Sequence, residues 1–176
     1  MRRRVFIKQA TATAVGAVVF PTIVPSSVFG KNAPSNKINI GQIGFGRIAR
    51  DHDVAETIKY DQAQFIAVCD VDKKRLLDGK KFIDDYYAKK TGSSKYSNVR
   101  MYDDYQEMLL NKDIDAVIIS TPDHQHAEPA ARAALAKKDI YLQKPTSLTV
   151  HEGRFLSDIV RKQGVILQVG TQQRSS

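Results

Sequence analysis

Lys144 and Pro145 stand directly behind Ile140–Gln143, a short run with the composition of a β-strand. A proline cannot donate to a sheet, so Pro145 predicts the end of the strand, and its ring restricts the backbone of Lys144 to extended conformations. A lysine held in this way can hydrogen-bond a reacting oxygen and help its proton leave or return. The alternative is an ordinary solvated loop lysine, and the rest of the sequence must decide between the two.

A glycine-rich turn follows the first strand-like run. The residues "GFGRIA", numbers 44 to 49, fit the pattern G-x-G-x-x-G/A where a strand leads into a helix. Gly44 allows the tight turn, and Gly46 lets a pyrophosphate approach the backbone. The amides expected to face the phosphates at the positive end of the helix dipole are those of Phe45, Gly46, Arg47 and Ile48. The motif therefore predicts a dinucleotide site; the alternative is a tight turn with no ligand.

Asp70 ends the second strand-like run, 24 residues beyond Gly46. A carboxylate at this place accepts hydrogen bonds from the ribose hydroxyls of NAD and repels the 2′-phosphate of NADP. The predicted cofactor is therefore NAD, with NADP the weaker ligand. Lys73, Lys74 and Arg75 follow closely and are expected to reduce this preference.

A third turn, "STPDHQH" at 120 to 126, ends the fourth strand-like run. Ligands of open α/β sheets bind outside the carboxyl ends of the strands, so this turn and Lys144 should meet at one crevice. The candidates here for cofactor contact are Ser120, Thr121, Pro122 and His126. His126 either faces the cofactor or fills the start of the next helix.

Strand-like runs and helical segments alternate along the chain. The strand-like runs are "INIGQIG", "QFIAVCD", "DAVIIST", "DIYLQK" and "VILQVG", with a weaker one at 99–102. The helical segments cover 47–60, 73–90, 105–111, 125–137 and 150–163. Apolar strands separated by helices predict an α/β fold, a doubly wound parallel sheet of the Rossmann type.

Composition excludes several classes of function. The 176 residues include 42% apolar residues, enough for one soluble globular domain. The net charge of +8 falls to +4 outside residues 1–30, and no basic stripe suited to a nucleic acid is present. Cys69 is the single cysteine, so an internal disulfide is excluded. It lies in an apolar run and is expected to be a buried core residue. The four histidines show no metal-ligand spacing, so no metal is predicted.

The first thirty residues have the layout of an export signal. A cationic start precedes a moderately apolar run from Ala10 to Val24, which is too short for a stable membrane span. The segment "RRVFIK", Arg3 to Lys8, resembles the bacterial twin-arginine signal. We therefore expect the twin-arginine export machinery as a partner and a periplasmic or otherwise exported location. The predicted organisation is a signal peptide at 1–30, a linker at 31–37, the nucleotide-binding domain at 38–170 and the start of a crossover at 171–176.

Together, the glycine turn and the segments "CDVD", "TPDHQH", "QKP" and "QVGTQQRS" resemble the N-terminal domain of the Gfo/Idh/MocA oxidoreductases, particularly exported bacterial members. The resemblance covers about residues 37 to 176. It implies that Lys144 corresponds to the active-site lysine of a Glu-Lys-Pro signature, beside nicotinamide and substrate. Gln143 stands where glutamate is usual. Its amide can still form a hydrogen bond with a ribose, but the negative charge that a glutamate would place near Lys144 is missing.

The resemblance also implies a function. Family members continue into a second α/β domain that supplies most of the substrate pocket and the usual oligomer interface, so a homo-oligomer is expected only where that domain is present. The chain stops at "TQQRSS", where the crossover should begin, which predicts a truncated chain. The implied activity is NAD-dependent oxidation or reduction of a sugar or polyol. The alternatives are an NAD-assisted glycosidase or lyase of the same family, and a nucleotide-binding module without catalysis.

Overall fold

The computed structural model describes residues 36–171. The signal peptide predicted at 1–30, residues 31–35 of the predicted linker and residues 172–176 of the predicted crossover lie outside the described residues. Within 36–171, no helix is long and apolar enough to cross a bilayer.

A single parallel sheet organises the described residues. Its strands are β1 Ile38–Ile43, β2 Ala63–Cys69, β3 Arg100–Tyr102, β4 Ala116–Ile119, β5 Asp139–Gln143 and β6 Leu167–Gly170. Their order across the sheet is β3-β2-β1-β4-β5-β6, and every neighbouring pair is parallel. This is the order of a dinucleotide-binding Rossmann sheet, so the predicted fold class is confirmed. The strand order reverses between β1 and β4, which places the ligand crevice at the carboxyl ends of these two strands.

Helical segments connect the strands on both faces of the sheet. They are the π-helical turn Ala49–Asp53, α1 Val54–Thr57, α2 Lys73–Thr91, α3 Tyr105–Leu109, the 3₁₀ turn Asp123–Gln125, α4 Ala127–Leu135 and α5 Val150–Gln163. Local chemistry sets the ends of the longer ones. Asp72 caps the start of α2 by accepting from the Lys74 amide, and Thr149 forms a capping box with Glu152 at the start of α5.

The segment after β1 differs from the regular helix predicted at 47–60. Residues Ala49–Asp53 form a wider π-helical turn, and the side chain of Asp53 is buried at its end. Its carboxylate accepts hydrogen bonds from Ser120 and Gln143 in the interior. The tertiary contacts of one acidic side chain thus accompany a local departure from α-helical geometry.

Two apolar cores lie on the two faces of the sheet. One packs α1 and α2 around Phe65, Ile83 and Ile118. The other packs α3, α4 and α5 around Met108 and Leu142. With both faces covered, the strand ends are the accessible edge at which a ligand can meet the backbone.

Candidate functional site

A crevice of about 590 Å³ opens at the carboxyl ends of β1, β2 and β4. The structure brings together at this crevice most of the predicted cofactor contacts: Gly44, Gly46, Arg47, Ile48, Asp70, Ser120, Thr121 and Pro122. The remaining predicted site residues, Phe45, His126, Gln143 and Lys144, do not line it. Arg75, which was expected near the ribose, also lines it, as do residues absent from the prediction, among them Val71 and Tyr105.

The two glycines of the turn meet different surroundings. Gly44 has a φ of 80°, and a Cβ there would lie 3.0 Å from the Ser120 carbonyl oxygen, so the position requires glycine. A Cβ at Gly46 would meet no atom within 4 Å. The backbone at Gly46 therefore faces open space, and any side chain there would occupy it. This geometry fits the close approach of a pyrophosphate to the first amides of the following helix.

Asp70 is buried and binds the glycine turn directly. Its Oδ2 accepts from the Phe45 amide at 2.7 Å, and its Oδ1 accepts from the Asp72 amide at 2.9 Å. The Phe45 amide is therefore used inside the protein, which leaves the amides of Gly46, Arg47 and Ile48 as the candidate donors to a ligand. Each carboxylate oxygen keeps further acceptor capacity, so Asp70 can still accept from a ribose hydroxyl.

His126 connects two turns. Its ring is 1% exposed, with Nε2 at 2.8 Å from the Thr121 carbonyl oxygen and Nδ1 within hydrogen-bond distance of the Pro145 carbonyl oxygen. These contacts join the turn after β4 to the turn after β5. Of the two roles left open by the sequence, the geometry favours a buried place at the start of α4 over direct contact with a cofactor.

Lys144 and Gln143 point to different places. Lys144 is exposed, its peptide bond to Pro145 is cis, and its ammonium makes no hydrogen bond or ion pair with the described part of the chain. Gln143 is 3% exposed, and its Nε2 donates to Asp53 Oδ1 at 2.7 Å. The lysine is thus free to meet a ligand, whereas the amide of Gln143 is held in the interior.

Asp53 is the functional candidate that the sequence did not reveal. Its Oδ2 accepts from the Ser120 hydroxyl at 2.6 Å, in addition to the bond from Gln143. Ser120 Oγ in turn accepts from Gln42 Nε2 at 3.0 Å, and Gln42 also donates to the Gly44 carbonyl. One signal was present, since Gln42 is a polar residue inside a strand predicted to be buried and therefore needs a partner. An aspartate within a helical segment gave no such signal.

Cys69 lines the crevice without being a nucleophile. It is 3% exposed, and burial together with the nearby charge of Asp70 raises the pKa of its thiol to about 12. The thiol is therefore protonated at neutral pH and unreactive. Among residues 36–171, no three His, Cys, Asp or Glu side chains are grouped so that they could hold a metal ion.

Cations flank the glycine turn on the side away from Ser120. A second hollow of about 380 Å³ is lined there by Arg47, Arg50, Lys74 and Arg75, together with two acids, Asp72 and Asp78. Arg47 and Arg75 line both cavities. The mixed charges attract anions to this edge of the crevice less strongly than four unpaired cations would.

Residues 38–171 match the family model Gfo/Idh/MocA, an oxidoreductase family with an NAD-binding Rossmann fold. The chain belongs to this family. The Rossmann sheet, the open backbone at Gly46 and the strand-end carboxylate of Asp70 are the features that this NAD-binding domain requires.

The Gfo/Idh/MocA domain is also similar to individual proteins. It is 33% identical over 140 residues to the uncharacterized oxidoreductase YrbE of Bacillus subtilis, a match that covers 80% of this chain and 37% of YrbE. It is 30% identical over 139 residues to scyllo-inositol 2-dehydrogenase (NAD(+)) of the same organism, covering 79% and 37%. The crystal structure of the WlbA dehydrogenase from Bordetella pertussis, in complex with NADH and UDP-GlcNAcA, matches with a TM-score of 0.65 and 25% identity, covering 80% of this chain and 36% of WlbA. The chain thus spans little more than a third of the length of these relatives.

Proposed function

We propose that the chain is the nucleotide-binding part of an NAD-dependent oxidoreductase that acts on a hydroxyl or carbonyl group of a sugar or polyol. The observation that carries the proposal is the presence of an open glycine turn at Gly46 together with an exposed lysine, Lys144, in the turn after β5. The relatives support the substrate class, because one is a scyllo-inositol dehydrogenase and another holds NADH with a nucleotide sugar. Assembly into oligomers is proposed only for a form that carries the remaining length of these relatives.

Four positions have defined tasks in this proposal: the turn amides, Asp70, the bound cofactor and Lys144. The amides of Gly46, Arg47 and Ile48 hold the pyrophosphate, and Asp70 holds the adenosine ribose. Bound NAD supplies the hydride acceptor or donor. Lys144 donates a hydrogen bond to the substrate oxygen and takes part in the loss or return of its proton.

Two substitutions separate nucleotide binding from catalysis. Gly46→Val fills the space proposed for the phosphates and should abolish NAD binding in titrations of the 176-residue chain. The melting temperature should stay unchanged, because no described atom outside the two neighbouring residues lies within 4 Å of the new Cβ. Lys144→Ala should leave NAD affinity within about threefold of the parent. In a form extended to the full length of its relatives, it should lower turnover by about 10² to 10⁴.

Lys112→Ala is the matched control. Lys112 is an exposed lysine in the loop before β4, at the amino ends of the strands, whereas Lys144 follows the carboxyl end of β5. Turnover within about threefold of the parent for Lys144→Ala would reduce Lys144 to a solvated loop residue and contradict the proposed function. Formation of product without net reduction of added NAD would instead indicate a glycosidase or lyase that keeps its cofactor bound.

We also propose export of the folded protein by the twin-arginine pathway, supported by the segment Arg3 to Lys8. Replacing both Arg3 and Arg4 by lysine keeps the charge but removes the guanidinium groups. The double variant should remain in the cytoplasm in a fractionation experiment. Undiminished periplasmic protein would exclude this route.

A further inference from the structure

Asp53 is the end point of two chains of hydrogen bonds. The first runs from Gln42 to the Ser120 hydroxyl at 3.0 Å and on to Asp53 Oδ2 at 2.6 Å. The second runs from the Lys144 amide to Gln143 Oε1 at 3.2 Å, and from Gln143 Nε2 to Asp53 Oδ1 at 2.7 Å. Every donor in both chains points toward the carboxylate. Each of the two carboxylate oxygens accepts from one chain, so the carboxylate can end both chains at once.

The two chains begin in different turns. Gln42 Nε2 also donates to the Gly44 carbonyl at 2.8 Å, so the first chain begins at the glycine turn. The second begins at the backbone of Lys144. Asp53, Gln42 and Gln143 are each less than one tenth exposed, so water competes little for these bonds.

The carboxylate also selects one orientation of the Gln143 amide. If the amide were reversed, its oxygen would face the carboxylate of Asp53 and its NH₂ would face the Lys144 amide, and both contacts would be repulsive. Asp53 therefore controls which group Gln143 presents to Lys144, although it touches neither Lys144 nor the crevice.

We infer that Asp53 is a positioning residue that fixes the glycine turn and the Lys144 turn relative to each other through Ser120 and Gln143. The inference deepens the proposed function and takes its catalytic meaning from the role of Lys144. The hydrogen bonds to Ser120 and to the Lys144 amide require one carboxylate and one amide at positions 53 and 143, and the two groups can exchange places. The structure has the carboxylate at 53, and the reverse arrangement would satisfy the same donors.

The test is a charge-swap cycle in the 176-residue chain. Asp53→Asn leaves one acceptor for two donors, and Gln143→Glu brings two carboxylates together. The double variant Asp53→Asn with Gln143→Glu restores every bond. In it, the new asparagine accepts from Ser120 and donates to the new glutamate, which in turn accepts from the Lys144 amide. The readouts are the melting temperature and the ¹H–¹⁵N signal and hydrogen-exchange rate of the Lys144 amide, and none of them requires turnover.

We expect each single variant to melt about 5 °C or more below the parent, and the double variant to melt within about 2 °C of it. In each single variant, the factor by which the exchange rate of the Lys144 amide rises should be about ten times the factor for the core amide of Val117. In the double variant, the exchange rate of the Lys144 amide should return to that of the parent. The matched control is Asp51→Asn, an exposed acid in the same π-helical turn whose partner is Arg50, which should change neither readout.

Three outcomes would overturn the inference. One is a Lys144 amide signal unchanged in Asp53→Asn, and a second is a double variant that loses as much as the two single variants combined. The third is a rise in exchange that is equal at Lys144 and Val117, which would make Asp53 a stabiliser of the fold alone. Should Asp53→Asn not fold, a folded double variant supports the pairing and an unfolded one refutes it. A catalytically silent Lys144 would overturn the proposed function and leave these results standing.

Discussion

In the proposed function, Asp70 combines a structural and a recognition role in one side chain. Its two oxygens accept from the Phe45 and Asp72 amides, which hold the glycine turn against the end of β2. The same negative charge lies in the crevice where a ribose hydroxyl can donate to it. A substitution of Asp70 therefore changes turn stability and cofactor choice together, and an experiment must separate the two.

The ratio of two affinities separates them. Asp70→Asn weakens the turn equally for NAD and NADP, so the ratio of their dissociation constants isolates the effect of the charge. We expect the parent chain to bind NAD at least about tenfold more tightly than NADP. In Asp70→Asn, the two dissociation constants should differ by no more than about threefold. Fluorescence titration with both nucleotides measures the ratio.

Asp104→Asn serves as the control, because Asp104 caps α3 by accepting from the Gln106 amide at 2.7 Å and does not line the crevice. It should lower stability with little change in the ratio. If the ratio stayed the same in Asp70→Asn, Asp70 would only stabilise the glycine turn and would not select the cofactor.

Single-residue roles were predicted from sequence only where a backbone pattern fixes them. Gly44 needs a positive φ and Gly46 needs open space, and a motif encodes both. The interior position of Gln143 depends instead on Asp53, ninety residues away in the chain. No local pattern reports such a pair, which is why the sequence placed Gln143 at the ribose and passed over Asp53.

Gly79 shows how a whole helix depends on the absence of one side chain. It lies in α2, and a Cβ there would come within 2.8 Å of the Phe45 ring and 2.9 Å of Val68 Cγ2. Phe45 belongs to the glycine turn and also packs against Phe82 of α2, with ring centroids 5.8 Å apart. The close approach of α2 to the sheet therefore helps to set the position of the glycine turn.

Gly79→Ala should destabilise the domain despite the better helix propensity of alanine. Overpacking costs about 1 to 3 kcal/mol, whereas the gain in propensity is about 1 kcal/mol, so a net loss of up to about 2 kcal/mol is expected. NAD affinity should fall several-fold as Phe45 shifts. Urea denaturation and NAD titration measure the two effects.

Gly153→Ala is the matched control in α5. The Cβ there would meet only the Ser147 side chain, with its Oγ closest at 2.9 Å, and this hydroxyl can rotate away. We expect a stability equal to or above that of the parent. A Gly79→Ala variant that gained stability as Gly153→Ala does would show that α2 can move away from the sheet at little cost.

The elements were largely predictable because the parallel sheet is covered on both faces. Its strands are then continuous apolar runs, and the strand ends at Ile43, Cys69 and Gln143 fall within one residue of the predicted ends. The weak strand near Val99 is present as β3, Arg100–Tyr102. The π-helical turn at Ala49–Asp53 was not predicted, because interior contacts of its last residue accompany it and periodicity along the chain does not report them.

At the scale of the whole molecule, two buried acids couple the stability of the fold to alkaline pH. Burial is the main cause that raises the pKa of Cys69 from its ordinary value of 9.0 to about 12, and that of Tyr87 from 10.0 to about 12. The two groups lie on opposite faces of the sheet, Cys69 in the core with α4 and Tyr87 in the core with α2. Both cores must therefore open before these groups can ionise at their ordinary values.

The sign of the effect follows from proton binding. Below pH 9, both groups are protonated in the folded and the unfolded chain, and their contribution to stability is fully present. Between pH 9 and 12 the unfolded chain releases these protons first, so the free energy of unfolding falls as pH rises. One proton corresponds to about 1.4 kcal/mol per pH unit, so we expect about this slope from Cys69 between about pH 9 and 10. Above about pH 10 the slope should be at least about twice as steep, because Tyr87 joins and burial also raises the pKa values of Tyr105 and Tyr141.

Cys69→Ala isolates the first step. Removing the thiol lowers the baseline through a small cavity but also removes the titration, so urea denaturation across about pH 8 to 12 should show the onset of the decline moving from about pH 9 to about pH 10. Tyr87→Phe should instead keep the onset at about pH 9 and make the decline above about pH 10 less steep. It also loses the hydrogen bond that the Phe65 amide donates to the Tyr87 hydroxyl at 2.8 Å, so its stability should be lower at every pH. Parallel curves for the parent and Cys69→Ala between about pH 9 and 10 would mean that the thiol ionises in the folded chain as readily as in the unfolded one, and that the crevice admits water to Cys69.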